Sequence, residues 1–85
     1  MQCFVYILYS EKLDKFYTGS SHNPELRLHY HNLGKKGWTK AGIPWESVFQ
    51  HAFDNNIIAR EKELFIKKQK SKIYIEKLIS GEYTI

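Results

Sequence analysis

The sequence is nearly devoid of sulfur chemistry and has no long apolar run. Cys3 is its one cysteine, which excludes an intrachain disulfide and a cysteine-built zinc site and points to a reducing, cytoplasmic setting. No window approaches the roughly twenty consecutive apolar residues that span a bilayer. The N-terminus lacks a basic stretch followed by an apolar run, so neither export nor membrane insertion is expected. No segment reads as a repeat or a linker. With 85 residues the chain has room for one domain and not two, so residues 1–85 are read as a single unit. A core this small leaves no space for a deep cleft. Any active site is therefore expected on a shallow surface, which suits a polymeric substrate.

What is present is enough to fold. An apolar share of 42%, with 15% aromatic residues, is too high for a disordered chain. Thirteen Lys and Arg against nine Asp and Glu give a net charge of +4, a bias that favours polyanions where the charge is clustered.

Residues Cys3 to Tyr9 form a β-branched and aromatic run that predicts a strand buried on both faces. Ser10 to Lys15 supplies a turn, and Phe16 to Gly19 reads as a short strand returning beside the first. Asn23, Pro24 and Glu25 signal a helix start, because Asn caps free amides, Pro suits the first helical position and an acid suits the positive end. This helix is expected to reach about Leu33 and to end at Gly34. Leu26, Tyr30 and Leu33 are spaced as a core stripe, with Arg27 and His31 one turn apart on another face. The Lys-, Gly- and Thr-rich stretch from Lys35 to Pro44 reads as an exposed, mobile loop. Trp45 to Phe53 reads as a third strand. Asp54 is the expected cap of a second helix from about Asn55 to Gln69, and Ser71 caps a third from about Lys72 to Ile79, closed by Gly81. The fold class is α/β of the α+β kind: a small antiparallel three-stranded sheet flanked by helices, in the order β-β-α-β-α-α.

In that order of elements the chain carries a set of letters that resembles the GIY-YIG endonuclease family, as in the nuclease domain of the excision-repair incision subunit. Val5-Tyr6-Ile7 stands where the first motif belongs and Tyr17-Thr18-Gly19 where the second does. The segment Asn23 to Gly34 resembles the family's first helix, with Arg27 and His31 at its arginine and a common histidine. Ala59 to Lys68 resembles the metal-binding helix and places the family's glutamate at Glu63. The likeness covers about residues 2 to 70. Each motif is weak alone, and their shared order and spacing carry the signal. Two positions depart from the pattern: Val5 replaces a glycine, and Ser20 stands where excision-repair relatives often carry a lysine.

The residue types make chemical sense in these roles. A hairpin centred on Glu11 and Lys12 would set Tyr6 and Tyr17 directly opposite each other, so both phenols would leave one face. A nearby cation favours a phenolate able to take a proton from water, which makes one of the two the candidate base. Strand tyrosines more often simply pack. Arg27 can present two parallel donors to phosphate oxygens, although an exposed helical arginine beside Glu25 is the commoner case. His31 can touch a phosphate, assist proton transfer or be idle.

Glu63 lies at the edge of a stripe formed by Ile58, Ala59, Phe65 and Ile66, so its carboxylate should border the core. One carboxylate with several waters is a common way to hold Mg2+ or Mn2+ beside a phosphate. The bland alternative is an ion pair with Lys67, and Glu61 is the rival ligand. Lys35, Lys36 and Lys40, with Trp38 between them, form a basic and aromatic patch able to meet a phosphate backbone and stack a splayed base. Lys62, Lys67, Lys68, Lys70 and Lys72 add positive charge, and a solvated face is the default for such lysines.

The resemblance implies a metal-dependent endonuclease, structure-directed or nonspecific, with DNA ahead of RNA as substrate and a role in repair or recombination. The competing expectation is a nucleic-acid-binding module of the same fold that acts with a protein partner. A protein-interaction adaptor built on the Trp38 loop comes last.

Overall fold

Strand β1, Cys3–Ser10, is the middle strand of a three-stranded antiparallel sheet ordered β2-β1-β3. Being central and covered on both faces, it needs apolar residues at every step, and Val5, Tyr6, Ile7 and Leu8 are all buried. The computed structural model describes residues 1–34 and 37–85. Strand β2, Lys15–Ser21, and strand β3, Trp45–Phe53, flank β1. A bulge opposite Ile7 and Leu8 inserts one extra residue into β3.

Helix α1, Pro24–Leu33, lies on one face of the sheet, whose buried members are Tyr6, Leu8 and Trp45, joined by Tyr17, Leu28 and Ile43. Helices α2, Asn56–Gln69, and α3, Lys72–Ser80, cover the other face. There Cys3, Val5 and Ile7 meet Ala59, Ile66 and Leu78. The two faces follow from the period-2 alternation of β1, odd residues toward α2 and even residues toward α1.

The element order and the α+β class agree with the sequence reading, and four details differ. The hairpin turn holds four residues, closing at Ser10 and Lys15, so Tyr6 pairs with Gly19 and Tyr17 with Leu8. Within the turn the Ser10 hydroxyl accepts from the Leu13 amide, and Asp14 takes a positive φ of 51°. The two tyrosines are thus diagonal neighbours on one face and not directly opposite. Secondly, Leu26, Tyr30 and Leu33 are not a core stripe: all three are more than two-fifths exposed, while Pro24, Leu28 and Asn32 face inward.

The reason lies in Asn32. Its carboxamide oxygen accepts from the Trp45 amide at 2.7 Å and its amide nitrogen donates to the Trp45 carbonyl at 3.0 Å. A polar side chain therefore stitches α1 to the start of β3, and hydrophobic spacing cannot register that. Thirdly, Asn55 and not Asp54 caps α2, accepting from the Ile58 amide. On that helix Ile58 and Phe65 are exposed, and the buried line is Ala59, Glu63 and Ile66. Lastly, the stretch read as loop contains a 3-10 turn, Trp38–Gly42. It is fastened to the sheet by the Ser10 hydroxyl donating to the Gly42 carbonyl at 2.7 Å and by the Trp45 indole donating to the Thr39 carbonyl at 2.7 Å.

Candidate active site

The site forms around the edge strand β2, near Gly19 and Ser20. Strand alternation sends the side chains of adjacent residues to opposite faces, so these two positions link the two sides of the sheet. On the α1 face the Tyr6 ring lies across Gly19. A Cβ built at that glycine would stand 2.5 Å from the Tyr6 hydroxyl oxygen and 2.7 Å from Cζ. Only a residue without a side chain admits the phenol there. Tyr17, two residues back along β2, stacks with Tyr6 at 6.4 Å between ring centroids.

Helix α1 brings Arg27 and His31 to the same place. Asn23 accepts from the Leu26 amide, Pro24 opens the helix, and Gly34 closes it in the left-handed region at φ 72°. Arg27 stands near enough to the Tyr6 hydroxyl to favour its ionised form. His31, one turn on, packs against Tyr17 with centroids 4.5 Å apart. Burial raises the Tyr6 hydroxyl, as do the neighbouring Tyr17 and, more weakly, Glu63; against Arg27's opposing pull it is pushed up to about 12. Burial, reinforced by Arg27, lowers His31 below the usual histidine value and keeps the ring neutral at pH 7.

Glu63 reaches the site from the opposite face. It is only 3% exposed, and the Ser20 hydroxyl donates to Oε1 at 2.6 Å while the Lys67 ammonium donates to Oε2 at 2.6 Å. Arg60 adds a longer ion pair at 3.7 Å. Burial pushes this carboxyl upward, but the Lys67 and Ser20 hydrogen bonds and the Lys67 and Arg60 charges outweigh it. The net result lies below the usual glutamate value. The carboxylate is therefore ionised at neutral pH, as a cation ligand must be. The rival Glu61 is exposed.

Among the described residues, no group of three or more His, Cys, Asp and Glu is placed to hold a metal. A single buried, ionised carboxylate is the kind of donor a hard divalent ion takes together with water and substrate oxygen. Lys67 competes for one of the two carboxylate oxygens.

Two grooves meet at Tyr17 and Trp38. One, of about 510 Å³, runs along the β2 edge toward α3 and carries Lys15, Lys67, Lys70 and Lys72, so Tyr17 and Glu63's partner Lys67 share one groove. Its acidic member, Asp14, is already paired with Lys72 and Tyr9. The other, of about 440 Å³, is lined by Tyr17, Arg27, Tyr30, His31 and Trp38. Of the loop residues expected to meet nucleic acid, Trp38 lies in both grooves, Lys40 is exposed outside them, and Lys35 and Lys36 fall outside the described residues.

Sequence reasoning missed three participants. Ser20 was noted for the lysine it replaces and not as a donor to Glu63. Lys15 was read as turn, although the basic groove includes it. Tyr30 was assigned to the core, although it stands three residues after Arg27 and so on the same helix face, a spacing that was there to be read.

No curated protein matches the chain. Among solved structures it is similar to the solution structure of the UPF0213 protein BH0048 from Bacillus halodurans, with 28% identity and a TM-score of 0.58. That likeness covers 94% of this chain and 84% of the other. Residues 2–78 match the GIY-YIG catalytic domain, nearly the whole of the fold and every element of the site. The chain belongs to the GIY-YIG family.

Proposed function

We propose that this protein is a divalent-metal-dependent endonuclease that hydrolyses nucleic-acid phosphodiesters, recognising structure more than sequence, with DNA as the principal substrate. Family membership supplies the nuclease class. The observation that supports the catalytic reading is the gathering of Tyr6, Tyr17, Arg27 and His31 on one side of Gly19–Ser20, with the ionised Glu63 on the other.

Tyr17 is the better placed base. It is half-buried and lines both grooves, whereas Tyr6 is 1% exposed and keeps its proton to about pH 12. In this reading Tyr17, having first given its own proton to solvent, takes a proton from water as the phenolate, the water oxygen bonds to phosphorus, and the opposite P–O ester bond breaks. The leaving oxygen is then protonated from solvent, since the site is open. Tyr6 remains protonated and donates a hydrogen bond to the phosphate. Arg27 offsets the negative charge that grows on the phosphoryl oxygens, and neutral His31 orients the Tyr17 phenol. Glu63 would hold Mg2+ or Mn2+, which would polarise the phosphoryl group and stabilise the leaving oxygen. The lysines of the β2-edge groove would carry the flanking backbone.

A cleavage assay over nicked, flapped, branched and single-stranded DNA and RNA tests the proposal. Divalent-dependent cleavage should appear, and Glu63→Ala and Tyr17→Phe should each abolish it in a folded protein. Cleavage that survives both substitutions would reject the mechanism. One observation favours a binding module that cleaves little: Lys67 already neutralises Glu63. Steeply salt-dependent binding without cleavage of any substrate would select that reading.

A further inference from the structure

The groove on the α1 side differs in kind from the basic groove beside it. Its walls are the rings of Tyr17, Tyr30, His31 and Trp38, and the cation among its described lining residues is Arg27. Trp38 is 53% exposed and Tyr30 49% exposed. Single exposed aromatics need no explanation, but here several face one space around a guanidinium.

The wall is also held in place. Trp38 packs edge-to-face on the buried Trp45, with centroids 5.7 Å apart, and tilts against Tyr17 at 6.1 Å. Trp45 is in turn fixed by Asn32 and by its indole bond to Thr39. Arg27, Tyr30 and His31 follow one another at helical spacing, so α1 forms the opposite side. An aromatic slot with one cation among its described residues matches the chemistry of a single nucleotide: a π-face to stack and a phosphate to pair. The volume of about 440 Å³ admits a ligand of that size and excludes a duplex.

We propose that this cleft receives one unstacked nucleobase of the substrate strand, the base next to the phosphate gripped by Arg27. The inference rests on the nuclease reading for its polymer and adds the feature of the substrate that is recognised: a base outside the helix stack. The occupant belongs to a polymer, because the basic groove continues from the same Tyr17 and Trp38 wall and provides for flanking phosphates.

The test is made in EDTA, so that it does not depend on cleavage. One DNA duplex carries a single bulged 2-aminopurine, and its twin carries a bulged abasic residue. Binding should quench the 2-aminopurine fluorescence, and the base-bearing duplex should bind on the order of tenfold more tightly, the increment expected of one base stacked on aromatic side chains. Trp38→Ala should bring the two affinities together and Trp38→Phe should keep most of the difference. Tyr30→Ala, at a position half open to solvent, should reduce it. Equal affinity of the native protein for the two duplexes, or a Trp38→Ala variant with the ratio unchanged, would overturn the proposal. Displacement of the bulged duplex by equimolar deoxyadenosine monophosphate would also overturn it, by making the cleft a mononucleotide site. The two readings fail separately. Glu63-dependent cleavage without base preference removes the cleft and leaves the nuclease; base-dependent binding without cleavage does the reverse.

Discussion

Replacing Lys67 by methionine separates the structural role of Glu63 from the metal-holding role proposed for it. The substitution keeps the apolar stem and removes the ammonium that donates to Oε2 at 2.6 Å. Glu63 is 4% exposed at its side chain, so the released oxygen loses its charged partner in a largely desolvated position. Ser20 and Arg60 remain as partners of Oε1. Loss of one charge-assisted hydrogen bond at a buried carboxylate costs about 1–3 kcal/mol. For a domain of this size each kcal/mol lowers Tm by about 4–8 °C. The reverse change, Glu63→Gln, should cost less, because Lys67 is 47% exposed and can turn into water.

The vacated oxygen is also where a divalent ion would bind. At ten times its dissociation constant, Mg2+ adds about 1.4 kcal/mol to the folded state. In the native protein the ion must first displace Lys67, so its effect is smaller. Melting in Mg2+ and in NaCl of equal ionic strength should therefore show a larger Mg2+ shift for Lys67→Met than for the native chain. The shift should vanish in a Lys67→Met, Glu63→Gln double variant. Equal shifts in all three proteins would refute the assignment of Glu63 as a cation ligand.

Two further outcomes test the geometry. Gly19→Ala introduces a Cβ 2.5 Å from the Tyr6 hydroxyl, so the buried ring must move. Overpacking of this kind should lower stability by about 1–3 kcal/mol and reduce cleavage at least tenfold at temperatures where the variant stays folded, as melting and single-turnover assays would read. An alanine variant with native activity would show that Tyr6 need not lie over Gly19. Alkaline titration probes the same phenol. Because folding raises Tyr6 from 10.0 to about 12, chiefly by burial, its contribution is complete below pH 10 and is lost as the pH rises through 12. The difference amounts to about 3 kcal/mol, and Tyr6→Phe should flatten that part of the urea-unfolding profile between pH 10 and 12. A steep loss that persists in Tyr6→Phe would assign it to other groups.

Features that depend on neighbours along the chain are legible in the residues themselves. The Asn23 cap, Pro24 start and Gly34 stop delimit α1, Trp45–Phe53 is a strand by composition, and Ser71 and Gly81 bracket α3, because caps and periodicities are local. The ordered motifs also led to Tyr6, Tyr17, Arg27, His31 and Glu63 as candidates, since chemistry requires particular residue types. Tertiary structure alone decided how those elements face one another. The four-residue turn fixed the hairpin register and made the tyrosines diagonal neighbours, a two-residue offset that keeps both on one face and that no β-pattern encodes. Asn32, by binding both backbone groups of Trp45, turned Tyr30 out of the presumed core and into the cleft. Ser20 met Glu63 across forty-three positions of chain because an edge strand presents adjacent residues to opposite faces. Such contacts come from packing in three dimensions, where separation along the chain no longer measures distance.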